Sequence, residues 1–180
     1  MIPRETLLEL QNQALEMFQG AGIVITDDEW QKIEIADFGL SDFTNTGLAV
    51  LVYVNTQRCC AKELAMWPGQ TCPQHRHPNV GAEPGKEETF RCRRGTVYLL
   101  VPGPPTTSPK AKAPPGREAN YTVWHEIELR PGDQYTIAPN IEHWFQAGDC
   151  GAVVSEFSTR STDEQDVFVD PDINRFTKIT

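Results

Sequence analysis

Gly85-Lys86-Glu87-Glu88-Thr89-Phe90-Arg91-Cys92-Arg93-Arg94-Gly95 reads as a turn running into a strand with one buried face. Successive side chains of a strand point to opposite sides, so Glu88, Phe90 and Cys92 share one side while Glu87, Thr89, Arg91 and Arg93 share the other. The side that buries Phe90 therefore turns Glu88 inward, leaves Glu87 in a charged turn, and puts Arg91 and Arg93 on a solvated face. A buried carboxylate needs a counter-charge or a metal ion to offset its lost hydration.

The same short-period texture continues on both sides of this stretch. Apolar or alternating runs at 49–54, 96–101, 121–129, 134–138 and 151–157 are separated by Gly, Pro, Asn and Asp, which predicts an all-β sandwich or jelly roll from about residue 32 to 160. Ahead of it, Leu7, Leu8, Leu10, Ala14, Leu15 and Phe18 recur at near-helical spacing before Gly20 and Gly22, so one amphipathic helix is expected at about 5–19. Residues 102–116 contain six prolines and cannot join a ladder, so they are expected as an exposed loop inserted between strands. The tail, 161–180, mixes Val167, Phe168, Val169 and Ile173 with acids and is expected to wrap the barrel or a partner subunit.

At 180 residues with 39% apolar composition, one domain spanning 1–180 is the expectation. No run approaches the length of a membrane-spanning helix, and the start lacks the basic-then-apolar pattern of a signal peptide, so a soluble, cytoplasmic protein is expected. Five cysteines without a Cys-x-x-Cys pair fit free thiols in a reducing compartment. The formal net charge of −9 argues against a nucleic-acid partner.

Two histidines one residue apart, His75 and His77, share a strand face and can chelate one ion with Glu88. His143 has the parity of Phe145 and Ala147 and follows the turn Pro131-Gly132-Asp133, which makes it the fourth ligand. His125 alternates with Val123, Ile127 and Leu129 and is expected as a core histidine or one that supports the site without binding the ion.

Gly69, His75, His77, Glu88 and Gly95 resemble the first cupin motif, and Gly132 through Pro139 to His143 resembles the second. The ten residues between His77 and Glu88 exceed the usual spacing. More specifically, Gly85-Lys86-Glu87-Glu88-Thr89-Phe90, Pro139-Asn140-Ile141-Glu142-His143-Trp144-Phe145 and Ser155-Glu156-Phe157-Ser158-Thr159-Arg160-Ser161 resemble the cupin D-lyxose isomerases. The resemblance implies a cupin jelly-roll barrel, a homodimer, and interconversion of D-lyxose and D-xylulose on a manganese ion. D-mannose and D-fructose differ from that pair by one carbon, which a roomy barrel admits, and the same ligands also take zinc, iron or cobalt.

Three imidazoles and a carboxylate leave two positions on an octahedral ion, enough for a vicinal carbonyl and hydroxyl of an open-chain monosaccharide. Moving a proton between C1 and C2 then requires an acid/base group. Glu156, amid apolar residues after His143, is the first candidate. Lys86 can bind a sugar oxygen or stabilise developing negative charge, and Glu88 can double as ligand and base. Arg160 and Asp163 are placed to orient sugar hydroxyls or the base. A metal-dependent cupin dioxygenase and a non-catalytic sugar-binding cupin use similar ligand sets and stand as alternatives.

Overall fold

A computed structural model describes residues 1–180. In chain order its elements are helices α1 (Arg4–Gly20) and α2 (Asp27–Trp30), then strands β1 (Glu34–Ala36), β2 (Leu48–Asn55), β3 (Cys60–Met66), β4 (Thr71–Arg76), β5 (Glu88–Val101), β6 (His125–Leu129), β7 (Gln134–Ile137), β8 (His143–Ser158) and β9 (Val167–Phe168). The expected all-β jelly-roll barrel with one N-terminal helix is the observed architecture. No helix is long and apolar enough to cross a membrane.

All nine strands belong to one curled sheet, paired in the order β1-β2-β3-β8-β4-β9, with β5 also on β8 and with β6 and β7 on β5. The spine is the antiparallel pair β5 and β8, paired from Glu88↔Ser158 to Leu100↔Trp144 with a first register shift between Cys92 and Arg94. Between Gly95↔Ala152 and Val97↔Ala147 the register shifts, so part of β8 bulges out and the ribbon bends. Gly95 makes the bend possible. Its φ is 75°, and a Cβ there would lie 2.0 Å from the carbonyl oxygen of Gly151.

Three apolar clusters hold these strands. Leu64, Met66, Phe90, Leu99, Phe145 and Val154 belong to the cluster inside the barrel. On the outer face of β2, β3 and β8, helix α1 presses Ala14 and Phe18 onto Ala49, Leu51, Ala65 and Val153. Those strands are therefore buried on both faces along much of their length. The third cluster packs Trp144, Leu100 and Tyr121 under Ala111. It corrects the expectation for the proline-rich segment, which forms no strand but is not simply exposed. Ala111 and Pro114 are buried, and the backbone N–H groups of Lys110 and Ala111 donate to the Glu126 carboxylate. The run expected at 121–129 becomes a strand only from His125, because Tyr121 and Trp124 turn their rings edge-on to Trp144.

The tail wraps its own barrel. β9 pairs with β4 through His75↔Phe168, Ile179 bridges Ile2, and Arg175 forms an ion pair with Glu34.

Phe18 is fully buried and carries much of the contact between α1 and the sheet. Phe18→Ala should lower unfolding free energy by about 3–5 kcal/mol. Urea denaturation followed by tryptophan fluorescence measures this loss.

Candidate active site

Four side chains converge at one end of the barrel interior. β4 carries His75 inward, and His77 follows one residue past its end; His143 opens β8 directly across from His75 in the ladder, and Glu88 opens β5. All four are buried. The ring centroids of the three histidines lie 4.3–5.3 Å apart, and one ligand atom from each falls within 4.8 Å of the others. Glu88 Oε1 sits 3.1 Å from His77 Nε2 and 2.9 Å from His143 Nε2.

Each imidazole is oriented through its other nitrogen. Nδ1 of His75 lies 2.8 Å from the Pro73 carbonyl, Nδ1 of His143 lies 2.9 Å from the Ile141 carbonyl, and Nδ1 of His77 lies 2.6 Å from Asp166 Oδ1. Donation from Nδ1 to these oxygens leaves each Nε2 with a lone pair free to bind a metal ion. Nε2 of His143 is fully buried and, despite its nearness to Glu88, has no partner in hydrogen-bond geometry. A metal ion would satisfy that atom, and three imidazole nitrogens with one carboxylate oxygen suit a divalent transition ion.

The electrostatics favour the ligand forms of His75 and Glu88, while His77 holds a proton until an ion displaces it. Burial, reinforced by the neighbouring imidazoles, holds His75 well below the usual histidine range, in the neutral form a ligand needs. Burial alone would also lower His77, but the Glu88 charge and the hydrogen bond to Asp166 push it up to about 9. Burial would raise Glu88, yet Lys86 and His77 hold it well below the usual carboxylate range.

Beside the ligands lies a second polar group. Lys86 precedes β5 rather than belonging to it, yet its ammonium reaches Glu88 Oε2 at 2.7 Å and Glu156 Oε1 at 3.0 Å. Gly85 allows this approach, since a Cβ on it would lie 2.0 Å from the His77 carbonyl oxygen. Asp163, in the turn after β8, stands 3.7 Å from Lys86 and 2.7 Å from the Lys62 ammonium. These groups line a pocket whose apolar wall includes Phe38, Leu64, Phe90, Phe145 and Phe168. The Phe168 ring lies 5.3 Å from that of His75.

The structure thus brings together His75, His77, Glu88, His143, Lys86, Glu156 and Asp163. It does not bring in Arg160. β8 ends at Ser158, the chain turns outward, and the exposed Arg160 guanidinium donates to Gln57. His125 is neither core nor beside the ligands; it is half-buried, with Nδ1 3.0 Å from the Pro104 carbonyl. Two charged groups that line the pocket escaped the sequence reading. Lys62 shares strand parity with Leu64 and Met66, a usable signal, because a lysine on a buried face must have partners. Asp166 sits in an irregular segment where no periodicity points to it.

A family model for D-lyxose isomerase matches residues 108–180. The D-lyxose/D-mannose isomerase of Thermosediminibacter oceani is 58% identical over 179 residues, covering 99% of both chains. The D-lyxose ketol-isomerase of a Thermofilum species is 56% identical over the same share of both chains, and that of Cohnella laeviribosi is 56% identical over 93% of this chain and 92% of its own. Among solved structures, the L-ribose isomerases of Cellulomonas parahominis and an Acinetobacter species share the fold with TM-scores of 0.83 and 0.84. Each is 18% identical and covers 99% of this chain and 98% of its own.

Replacing His75, His77, Glu88 or His143 with Ala should abolish stoichiometric binding of manganese. Asp166→Asn, which removes only the carboxylate behind His77, should weaken it by about 10–100-fold. Metal content after gel filtration and calorimetric titration of metal-free protein read the two effects. Full retention in the alanine variants would refute the ligand set.

Proposed function

The chain belongs to the D-lyxose isomerase family and is an aldose-ketose isomerase, and from that premise we propose that it interconverts D-lyxose and D-xylulose on a divalent ion. Manganese is the ion of choice, held by His75, His77, Glu88 and His143, and D-mannose with D-fructose forms a further substrate pair. When bound, the ion supplies a Lewis acid that polarises the carbonyl of an open-chain sugar.

The observation that carries the proton-transfer reading is the state of Glu156. Its Oε1 accepts a hydrogen bond from Lys86, while its Oε2 has no hydrogen-bond partner in the protein and the residue lines the pocket. Glu88 cannot serve equally well, since Oε1 faces two imidazoles and Oε2 faces Lys86. Glu156 Oε2 takes the proton from C2 of the aldose and returns it to C1 for the ketose, while the hydroxyl proton on O2 passes to O1, and the reverse reaction retraces both transfers. The Lys86 ammonium, fixed between the two carboxylates, offers a positive charge and a hydrogen bond to the sugar oxygen that gains negative charge. Asp163 orients Lys86 and with it the polar edge of the pocket. Phe38, Phe90 and Phe168 restrict water around the reacting carbons, which strengthens each of these interactions.

This reading includes a cytoplasmic setting, in keeping with five unpaired thiols. It also includes a homodimer. Phe157 on β8 and Val54 on β2, which flank Ala61 on one face of the sheet, are exposed and offer apolar surface to a second copy.

Manganese-loaded protein incubated with D-lyxose should yield D-xylulose, identified by chromatography. Glu156→Gln should retain metal and sugar binding while kcat falls by about 10²–10⁴-fold. Wild-type turnover in that variant would remove Glu156 as the base.

A further inference from the structure

Lys62 is a buried ammonium directly across the ladder from Glu156, in the register Lys62↔Glu156 between β3 and β8. It donates to Ser161 Oγ at 2.9 Å and to Asp163 Oδ2 at 2.7 Å, and stands 3.6 Å from Glu156 Oε1. The oxygen of Glu156 that Lys86 holds is therefore flanked by a second ammonium from the opposite strand. An apolar side chain of similar length would fill this position without the desolvation penalty of a buried charge. Packing alone gives no reason for a lysine here.

We propose that Lys62 is a positioning residue for the isomerisation: it engages Oε1 of Glu156 from the β3 side, leaving Oε2 to carry the proton, and pins the Ser161–Asp163 turn beside the pocket. Lys86 cannot do this alone, because its ammonium is divided between Glu88 and Glu156. Lys62 also sets where Asp163 stands, and Asp163 in turn faces Lys86. The inference rests on Glu156 being the base.

Without Lys62, Asp163 keeps Lys86 at 3.7 Å and Arg175 at 3.5 Å, so the carboxylate is not stranded. Lys62→Met in manganese-loaded protein is the direct test, with kcat and KM for D-lyxose measured across about pH 5–9. kcat should fall by about 10-fold or more, with metal stoichiometry unchanged and KM within about 3-fold. Lys62→Met combined with Asp163→Asn removes the ion pair as a unit and should lose at least as much kcat, again with metal stoichiometry unchanged. Unchanged kcat in both variants would overturn the inference, as would a fall in kcat matched by equal loss of metal or folded protein. Parallel assay of Glu156→Gln separates the two levels. If that variant turns over normally, the base assignment fails and Lys62 falls with it; if it is inactive while Lys62→Met is unaffected, only the role of Lys62 fails.

Discussion

The curl of β8 is the constraint on which the site depends. Its 16 residues would span about 50 Å if extended. Glu88 pairs with Ser158 at one end of that strand, and His143 lies at the other, yet their side chains meet at 2.9 Å. The strand must therefore wrap around the barrel until its ends nearly close, and a flat sheet with the same pairing would hold the two ligands far apart. Gly95 and Gly151 meet where the ribbon bends, at a separation that no side chain on Gly95 would permit. Site geometry is thus a property of sheet curvature before it is a property of the ligating residues.

Curvature delivers the groups, and the Glu88 carboxylate arranges them. It is almost wholly buried, and the protein offers it two imidazole nitrogens and one ammonium. Each partner is held in turn: His77 by Asp166, His143 by the Ile141 carbonyl, Lys86 by Glu156 and Asp163. The polar interior is a connected network rather than a set of independent pairs. Its reach from β3 across β8 to β5 explains how a substitution on β3 can act on a reaction centred elsewhere.

The sequence was most legible where one face of a strand meets water. At the start of β5, Thr89 and Arg91 are half-buried and Glu87 exposed, so parity separated Glu88 from Glu87 correctly. The same method gave no answer for Glu156. Val153 is buried under α1 and Val154 faces the barrel interior, so both parities of β8 look apolar, and only the fold shows that Glu156 shares the inner side with Val154. Lys62 was missed for a different reason: residues 60–66 were not among the strand-like runs, so its parity with Leu64 and Met66 was not used. Arg160 was expected too close to the chemistry because sequence distance from Glu156 says nothing about where β8 ends. Asp166 depends on the path of the tail, which hydrophobic pattern alone does not fix.

The balance of charge in the pocket ties the metal reading to the second polar group. Glu88, Glu156, Asp163 and Asp166 line it against the ammonium groups of Lys62 and Lys86, while Arg175 is engaged with Glu34 as well as Asp163. Four carboxylates against two lysines leave two negative charges in a buried space, which a divalent ion would balance. Without an ion, His77 gains affinity for a proton, and its rise to about 9 is the protein's partial answer to the same excess. A proton on His77 and a metal ion among the three histidines are alternative ways of neutralising Glu88, so they compete. The lysines meet only part of that task, because the Lys86 ammonium is shared between Glu88 and Glu156 and Lys62 stands on Asp163 and Glu156. On the proposed reading the pocket would divide its positive charge between two jobs: a bound ion would stabilise Glu88 and the sugar oxygens, and the lysines would keep Glu156 aligned for the proton.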